Sequence, residues 1–239
     1  MVKVGCCGFP VKMGEYFKRF RVVEVQRTFY ELPEVKTAIR WREEAPPGFE
    51  FTMKALQLIT HPPGPTYKRM RKKPSGDFGF FKPNKDVFSA WEKTKEIAQA
   101  LGARKILFQS PPSFSENEEN VENLYSFFTK IEREGLELIW EPRGLWDPNT
   151  ITKICRDLDL VHCTDPFKNK PLHGKFIYLR LHGGKNYKHK YSDQELLSLK
   201  ELVETYVPLE TYVLFNNVYM YEDAWRFCEL IGLDPWDEQ

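Results

Sequence analysis

Short apolar runs recur along the whole chain, and most of them are rich in β-branched and aromatic side chains. Runs of this length and composition predict β-strands, because such side chains pack well on a pleated surface. The eight runs are Val2–Cys7, Val22–Gln26, Glu50–Lys54, Lys105–Gln109, Glu137–Glu141, Leu160–Asp165, Phe176–His182 and Tyr212–Asn217.

Helical patterns separate most of these runs. Apolar residues at helical spacing predict a helix over residues 84–101. Ser115 with Glu118, and Ser192 with Glu195, have the spacing of a capping box, in which two side chains bind free backbone N–H groups at the start of a helix. We therefore expect a helix to begin at each of these two positions.

Alternation of strands with helices favours parallel strands joined by right-handed crossovers. Eight such units in 239 residues predict an α/β protein with a closed (β/α)8 barrel, or TIM barrel, as a single domain over residues 1–239. Residues 166–175 are too few for a complete helix with its turns. We therefore expect the barrel to lack a helix, or to be irregular, between strands 6 and 7.

Polar side chains gather at the C-terminal ends of these strands, on one face only. In the segment LELIWEPR, Ile139, Glu141 and Arg143 share a face by the two-residue period of a strand, whereas Trp140 points to the other side. In a parallel barrel the C-terminal strand ends meet at one mouth, where barrel enzymes place their active sites. The opposite charges that end this otherwise apolar strand therefore predict a shared pocket.

Composition sets limits on the partners of the chain. Lysine and arginine total 35 and aspartate and glutamate total 34, so no overall field attracts nucleic acid or a membrane, although a local basic patch is compatible with this balance. We find no secretory signal and no long apolar span, and the five cysteines contain no Cys-x-x-Cys pair. We therefore expect a cytoplasmic protein with no membrane contact, no structural zinc and no cofactor.

Several segments of the chain have the form of motifs that occur together in one protein family. They are Val23–Tyr30, Pro46–Lys54, Thr60–His61, Phe108–Phe114, Glu141 with Arg143 and Trp146, Arg180–Gly183, and Phe215–Asn217. In this order they resemble the motifs of the YecE-like family (domain of unknown function 72), a TIM-barrel family. Gln26 stands where the family has Asn, and the family's Gly-Thr-Ser-Gly-Trp is replaced by the sequence GCCGF at residues 5–9. The resemblance spans almost the whole chain and implies a barrel with a site at its mouth, without implying a reaction.

Strand parity and the resemblance together define a candidate site. We expect acid–base chemistry from Glu24, Glu141, Asp165 and His182. We expect substrate contacts from Tyr30, Lys54, His61, Gln109, Arg143, Trp146, Arg180 and Asn216. The three carboxylates of this set are balanced by three cations, Lys54, Arg143 and Arg180. The pocket is therefore expected to be near neutral, unlike metal sites, which have an excess of carboxylate and His. We therefore predict no bound metal, and a small anionic or phosphorylated ligand held by the arginines.

Lys54 has two alternative roles. A lysine can form Schiff bases when it is desolvated or lies beside another cation. The sequence establishes neither condition, and it puts Glu24 on the neighbouring strand. We therefore expect an ion pair between Lys54 and Glu24.

A long segment with the sequence HPPGPTYKRMRKKPSGDFGFFKPN follows the third strand. It belongs to a loop over residues 57–84 that we expect to arch over the mouth. Its basic residues could hold the backbone of a nucleic acid while its aromatic residues stack on bases. The alternative is a solvated surface loop whose phenylalanines plug the barrel. The basic residues are Lys68, Arg69, Arg71, Lys72 and Lys73.

Three functions fit these features. The first is an enzyme of hydrolase, lyase or isomerase type that applies acid–base chemistry at the mouth to an anionic, hydroxyl-bearing small molecule or nucleotide. The second is a nucleic-acid phosphodiesterase or repair-type protein that uses the basic loop. The third is a ligand-binding protein without turnover. The sequence favours the first.

Overall fold

Eight parallel strands close into a barrel in the computed structural model, which describes residues 1–71, 74–233 and 236. The strands are β1 (Val2–Cys7), β2 (Val22–Val25), β3 (Glu50–Lys54), β4 (Lys105–Gln109), β5 (Glu137–Glu141), β6 (Leu160–Thr164), β7 (Ile177–Leu181) and β8 (Thr211–Phe215). Every strand pairs with the next in chain order, and β8 returns to β1 with Leu214 opposite Gly5. The predicted (β/α)8 barrel is confirmed.

Helices connect most of these strands. They are α1 (Met13–Phe17), α2 (Arg27–Tyr30), α3 (Val35–Glu44), α4 (Gln57–Thr60), α5 (Lys85–Leu101), α6 (Glu118–Lys130), α7 (Pro148–Asp157), α8 (Asp193–Glu204) and α9 (Met220–Ile231). The chain between β6 and β7 is described throughout and contains no helix, as predicted. A backbone hydrogen bond of 2.8 Å from His162 N to His173 O joins this segment to β6. None of the described helices combines the length and the apolar character that a membrane crossing requires.

Adjacent residues on a strand point to opposite sides of the barrel wall, as strand parity predicts. Cys7 and Leu107 belong to the buried cluster inside the barrel. Cys6 and Phe108 belong to the larger cluster between the barrel and the helices. Burial of a side chain as large as that of Phe contributes about 1.5–3 kcal/mol relative to exposure, so the alternation fixes which face of each strand points inward.

A layer of charged residues lies inside the barrel at the N-terminal ends of the strands, and sequence analysis did not single it out. Lys105 Nζ lies 3.2 Å from a carboxylate oxygen of Glu50, 3.0 Å from Glu137 and 3.8 Å from Glu210. Lys3 pairs with Glu50 at 2.5 Å and with Glu210 at 2.7 Å. Each cation in this layer is thus matched to more than one carboxylate.

The two predicted capping boxes have different outcomes. Ser192 and Glu195 form a capping box at the start of α8, as predicted. The prediction for Ser115 and Glu118 was wrong, because Asn117 caps α6 and accepts from Asn120 N over 2.8 Å. Asn and Ser are comparably good caps, and Asn117 directly precedes the first helical residue.

The loop that follows α4 is anchored to the body of the protein at its far end. Gly79 N donates to Leu58 O over 2.8 Å and Phe81 N to Ile59 O over 2.9 Å. Gly79 has φ +89°, and a Cβ there would lie 2.2 Å from Pro62 N, so only glycine fits this close approach. Phe81 is buried against the outside of the barrel and α6, so the idea that the loop's phenylalanines plug the barrel was wrong. Its ring neighbours are Phe108, Phe114, Phe127 and Phe128.

Candidate functional site

Arg180 lies inside the barrel, fully buried, between two carboxylates from different strands. Its Nη1 donates to Glu141 Oε2 over 2.5 Å and its Nη2 to Glu24 Oε1 over 3.0 Å. Burial by itself lowers the pKa of Arg180, but the two carboxylates outweigh this effect and raise it, so the guanidinium stays charged. The guanidinium fork is occupied by the protein, so Arg180 holds the site together from beneath, whereas sequence analysis had it binding a substrate anion directly.

Glu141 is the acceptor on which the site converges. Its Oε2 accepts from Arg180 and from Gln109 Nε2 at 2.9 Å, while its Oε1 accepts from His182 Nε2 at 2.7 Å and from Arg143 Nη1 at 3.3 Å. Burial raises the pKa of this carboxyl, but Arg180 and the other donors more than offset it and hold the pKa well below its ordinary value. Glu141 is therefore ionised and orients two of the residues that reach the cavity, Gln109 and Arg143.

His182 bridges Glu141 and the end of β8. Its Nδ1 lies 3.1 Å from Asn216 Nδ2, and burial lowers its pKa, although Glu141 opposes that effect. A neutral ring with the proton on Nε2 donates to Glu141 and accepts from the Asn216 amide, which satisfies both nitrogens.

The backbone N of His182 donates to Asp165 Oδ2 over 3.3 Å, and Phe167 N donates to Asp165 Oδ1 over 3.1 Å. Asp165 therefore shapes the loop after β6.

Glu24 is enclosed on both of its oxygens. Gln26 Nε2 donates to Oε1 over 2.5 Å, beside Arg180, and Tyr178 OH donates to Oε2 over 2.9 Å. Tyr178 OH also lies 2.8 Å from Thr52 Oγ1. Glu24 has no exposed surface and does not line either cavity at the mouth, so it acts on the site through Arg180 and Gln26.

Lys54 departs from the expected ion pair with Glu24. Its Nζ donates to Gln109 Oε1 over 2.8 Å and lies 3.8 Å from the centre of the Phe29 ring, but it forms no ion pair with any described carboxylate. Burial and then the charge of Arg180 lower the pKa of this amine to about 7, against an ordinary 10.5. The correction has a physical reason: Glu24 is already committed to Arg180, so Lys54 turns toward β4.

A cavity of about 640 Å³ opens above these residues. The charged side chains on its wall are Lys54, Arg69 and Arg143, and no described carboxylate lines it. The expectation of a near-neutral pocket was therefore wrong for this large cavity, because Glu24 and Glu141 do not line it. Uncharged polar side chains also line it, at Gln26, Tyr30, Thr66, Gln109, Ser110, Tyr187, Asn216 and Asn217.

A smaller cavity of about 270 Å³ adjoins the same network. Glu141, Asp165 and His182 line it together with Lys168. Arg143 lines both cavities, with its side chain 28% exposed. The two carboxylates expected to act in catalysis at this side of the mouth therefore face this smaller space.

Two of the remaining predicted contacts lie at the large cavity and one does not. Tyr30 and His61 line it. Burial and the nearby Lys54 lower the pKa of His61 to about 3, so its ring is neutral. Trp146 does not line the cavity, because its indole N–H is bound to Phe114 O at 2.7 Å and its ring packs against Trp140. Trp146 thus supports β5 from the outside of the barrel.

Of the loop's described basic residues at 68–71, Arg69 lies on the cavity wall. Arg69 Nη1 donates to Tyr30 OH over 2.8 Å, and Arg71 pairs with Glu31 at 3.3 Å. Lys68 is exposed in the same turn. Lys72 and Lys73 lie outside the residues that the structure describes.

Sequence reasoning missed several cavity residues that lie outside the strands. Phe29 directly precedes Tyr30, but no pattern indicated that its ring would lie under Lys54. Tyr187 reaches the cavity from the loop after β7, where its φ is +61°, a conformation that strand and helix patterns do not predict. No group of three or more His, Cys, Asp or Glu side chains in the described part of the chain is arranged to hold a metal ion.

Comparisons with solved structures place this fold among TIM-barrel proteins. A DUF72 family protein from Enterococcus faecalis V583 is 20% identical, with a TM-score of 0.75 and 98% of each chain covered. A xylose isomerase domain containing protein from Salmonella typhimurium LT2 is 12% identical, with a TM-score of 0.62 and coverage of 97% of this chain and 98% of the other. An AP endonuclease, family 2, from Brucella melitensis is 12% identical, with a TM-score of 0.54 and coverage of 99% and 98%. At these identities the likeness concerns the fold.

Sequence comparison identifies the family. No curated protein sequence matches the chain significantly. The profile described as "Protein of unknown function DUF72" matches residues 10–234, which includes every strand from β2 to β8 and all the site residues described above. The chain belongs to the DUF72 family.

Proposed function

We propose that this protein is an enzyme that binds an anionic, hydroxyl-bearing small molecule at the barrel mouth. It then catalyses proton transfer to or from the bound molecule. The observation that carries the proposal is the large cavity, whose charged wall residues are Lys54, Arg69 and Arg143. A cationic wall without a carboxylate attracts an anion and disfavours a cation. The amides of Gln26, Gln109 and Asn216 on the same wall suit hydroxyl and carbonyl groups of the ligand.

Arg143 is the group best placed to bind the anion. It is partly exposed, it faces the cavity, and Glu141 holds one of its nitrogens in place. A guanidinium with further N–H groups directed into a cavity can bind a phosphate or carboxylate through two parallel hydrogen bonds. Arg69 lies across the same wall and would add a second positive charge.

Lys54 is the group best suited to move a proton. A general acid or base is most effective when its pKa lies near the working pH, and burial lowers the pKa of Lys54 to about 7. Glu141 fits this role less well, because its pKa is held well below the ordinary value and all its hydrogen bonds are made within the protein. We therefore assign proton transfer to Lys54. Glu141 positions Gln109 and Arg143, and His182 donates a hydrogen bond to Glu141.

Ligand-induced stabilisation tests the binding half of the proposal. Ribose 5-phosphate should raise the Tm of the wild type, whereas ribose should not, because the anion supplies the contact with Arg143. Arg143→Met should abolish the shift. Arg156→Met is a matched control on the outer surface of α7, where Arg156 pairs with Asp157, and it should keep the shift. Equal shifts for ribose and ribose 5-phosphate would contradict the proposal.

Deuterium incorporation tests the catalytic half. An enzyme that removes a proton from a carbon of its substrate and returns one from solvent exchanges that hydrogen, so incubation of stabilising sugar phosphates in D₂O should give a loss of the corresponding proton signal by NMR. Lys54→Met should prevent this exchange. Binding without exchange or product would identify a ligand-binding protein without turnover.

A nucleic-acid repair function is the second candidate. Lys68, Arg69 and Arg71 are exposed in one turn at the rim of the cavity, and an AP endonuclease shares the fold. If this turn holds phosphates, the logarithm of the affinity for DNA should fall linearly with the logarithm of the salt concentration, and replacing the three residues with Gln should flatten that slope. Lys85→Gln, Lys93→Gln and Lys130→Gln combined, on exposed surfaces of α5 and α6, would be the charge-matched control. No binding at low salt would remove this candidate.

A further inference from the structure

Lys54 differs from the other buried lysines of the described structure. Lys54, Lys95 and Lys105 are each 6–7% exposed. Lys95 pairs with Glu92 and Glu134, and Lys105 is surrounded by the carboxylates of the lower layer. Lys54 instead has an amide oxygen and an aromatic face as its neighbours.

The surroundings of Lys54 favour a neutral amine that is open to a ligand. Lys54 lies on the wall of the large cavity, at the C-terminal end of β3. A single hydrogen bond to Gln109 Oε1 fixes its position and leaves the lone pair of the neutral amine free. Desolvation together with a nearby cation, here Arg180, is the recognised condition for a nucleophilic lysine.

We propose that Lys54 forms a Schiff base with an aldehyde or ketone that carries an anionic group. This inference rests on the proposed function, since it names the reactive group of the same ligand. Arg143 and Arg69 would bind the anion, and the carbonyl carbon would lie against Nζ. Lys54 is then a catalytic residue that forms a bond with the substrate, in addition to transferring protons.

The step conserves atoms and charge. The neutral Nζ adds to the carbonyl carbon, a C–N bond forms, and the π pair of the carbonyl moves to oxygen. A proton passes from nitrogen to this oxygen to give a carbinolamine. The nitrogen lone pair then expels the hydroxyl group, which leaves as water after accepting a proton, and the remaining N–H proton is released. One amine and one carbonyl compound give one imine and one water, with no oxidant or reductant.

Reductive trapping in the full-length protein tests this step. The protein is incubated near neutral pH with glyoxylate, an anionic aldehyde, and sodium cyanoborohydride, and modified lysines are mapped by mass spectrometry. We expect Lys54 to react roughly tenfold or more faster than Lys105, because burial and Arg180 lower the pKa of Lys54, whereas Lys105 is held in ion pairs. Glycolaldehyde, which is uncharged, should modify Lys54 more slowly, and inorganic phosphate should protect it. Modification of Lys54 no faster than of the exposed Lys93 would overturn the proposal.

The pH profile and one variant separate nucleophilicity from binding. The rate of trapping at Lys54 should rise through about pH 7, following the neutral amine. Lys54→Met removes the nucleophile but leaves Arg143 and Arg69 on the cavity wall, so it should retain the Tm shift with ribose 5-phosphate but lose trapping. A wild type that binds ribose 5-phosphate but is never trapped would refute the Schiff base and leave the proposed function intact. Failure of both binding and trapping would refute both.

Two probes identify the source of the carbonyl. Dihydroxyacetone phosphate and a DNA oligonucleotide with an abasic site present the same chemistry, a carbonyl close to a phosphate. Borohydride trapping of the first alone would support a small-molecule substrate. Trapping of the oligonucleotide alone would support the Schiff base and show that it serves a nucleic-acid repair function. Trapping of neither, with glyoxylate also unreactive, would overturn the inference.

Discussion

Arg180 Nη1 donates to Glu141 Oε2 over 2.5 Å, and neither side chain is appreciably exposed, with 0% for Arg180 and 2% for Glu141. Water cannot replace either partner in such a position. Desolvation of two charges is costly, and removal of one of them leaves the other buried without compensation. This pair therefore links the stability of the barrel to the organisation of the mouth.

Glu141→Gln should lower the free energy of unfolding by about 3–5 kcal/mol. The neutral amide cannot balance Arg180, and it presents a donor group toward Arg180, Gln109, His182 or Arg143, which all donate to this carboxylate. Urea denaturation measures the change. Glu34→Gln, an exposed carboxylate paired with Lys36, should leave stability unchanged within error. A Glu141→Gln variant as stable as the control would show that the mouth admits enough water to solvate Arg180.

Arg143→Met should change the free energy of unfolding by no more than about 1 kcal/mol. The guanidinium is partly exposed, and Glu141 keeps three other donors after its removal. Ligand binding should nevertheless be lost, because the anion contact disappears. Denaturation curves and calorimetric titration with ribose 5-phosphate measure both effects on one sample. Arg143→Lys, which keeps the charge without the planar fork, should bind more weakly than the wild type.

Lys54 should make stability depend on pH in a definite direction. The folded state holds the pKa of Lys54 at about 7, against 10.5 ordinarily, so between these values the unfolded chain binds a proton that the folded chain does not. Stability therefore rises with pH across this window, and the folded state is penalised below about pH 7. Lys54→Met should exceed the wild type in stability near pH 6, by roughly a few kcal/mol, and lose that advantage near pH 10.

Denaturation of both proteins at three pH values measures this difference. Lys93→Met, on the exposed face of α5, is the matched control and should follow the wild type at every pH. A stability difference between wild type and Lys54→Met that stays constant with pH would show that the amine is protonated at neutral pH in the folded protein.

Metal content is a separate prediction. We expect the purified protein to contain no stoichiometric metal, because the charged residues on the wall of the large cavity are cationic and divalent metals favour carboxylate and His ligands. Elemental analysis after gentle purification measures this. One equivalent of zinc, manganese or iron that is lost in a His182→Ala variant would contradict the prediction and favour the nuclease candidate.

The barrel could be predicted from sequence because its strands carry a strong local signal. Runs such as that of β4 combine apolar composition with a period of two, and parity alone put Leu107 inside and Phe108 outside. The position of Glu141 at the mouth followed from the same rule. These features depend on neighbours in the chain, which a single sequence contains.

The pairing of charges at the mouth could not be predicted in the same way. Parity brings Glu24, Lys54 and Arg180 to one end of the barrel, but it does not decide which cation a carboxylate chooses. That choice depends on small differences in the distances between side chains across the barrel. It also depends on the planar guanidinium of Arg180, which reaches two carboxylates at once. This choice leaves the wall of the large cavity cationic. Sequence analysis counted the charges without knowing how they pair, and it therefore expected a near-neutral pocket.

The two ionic layers inside the barrel are separated by an apolar layer that includes Leu107, Ile139 and Leu214. Lys105 and its carboxylates lie below this layer, and Glu141 with its donors lies above it. The ion pairs named in these two layers share no charged residue, and groups without shared partners contribute almost additively to stability. Directed evolution could therefore replace Lys54, Gln109 and Arg143 to obtain new specificities, while the lower layer continues to hold the strands in register.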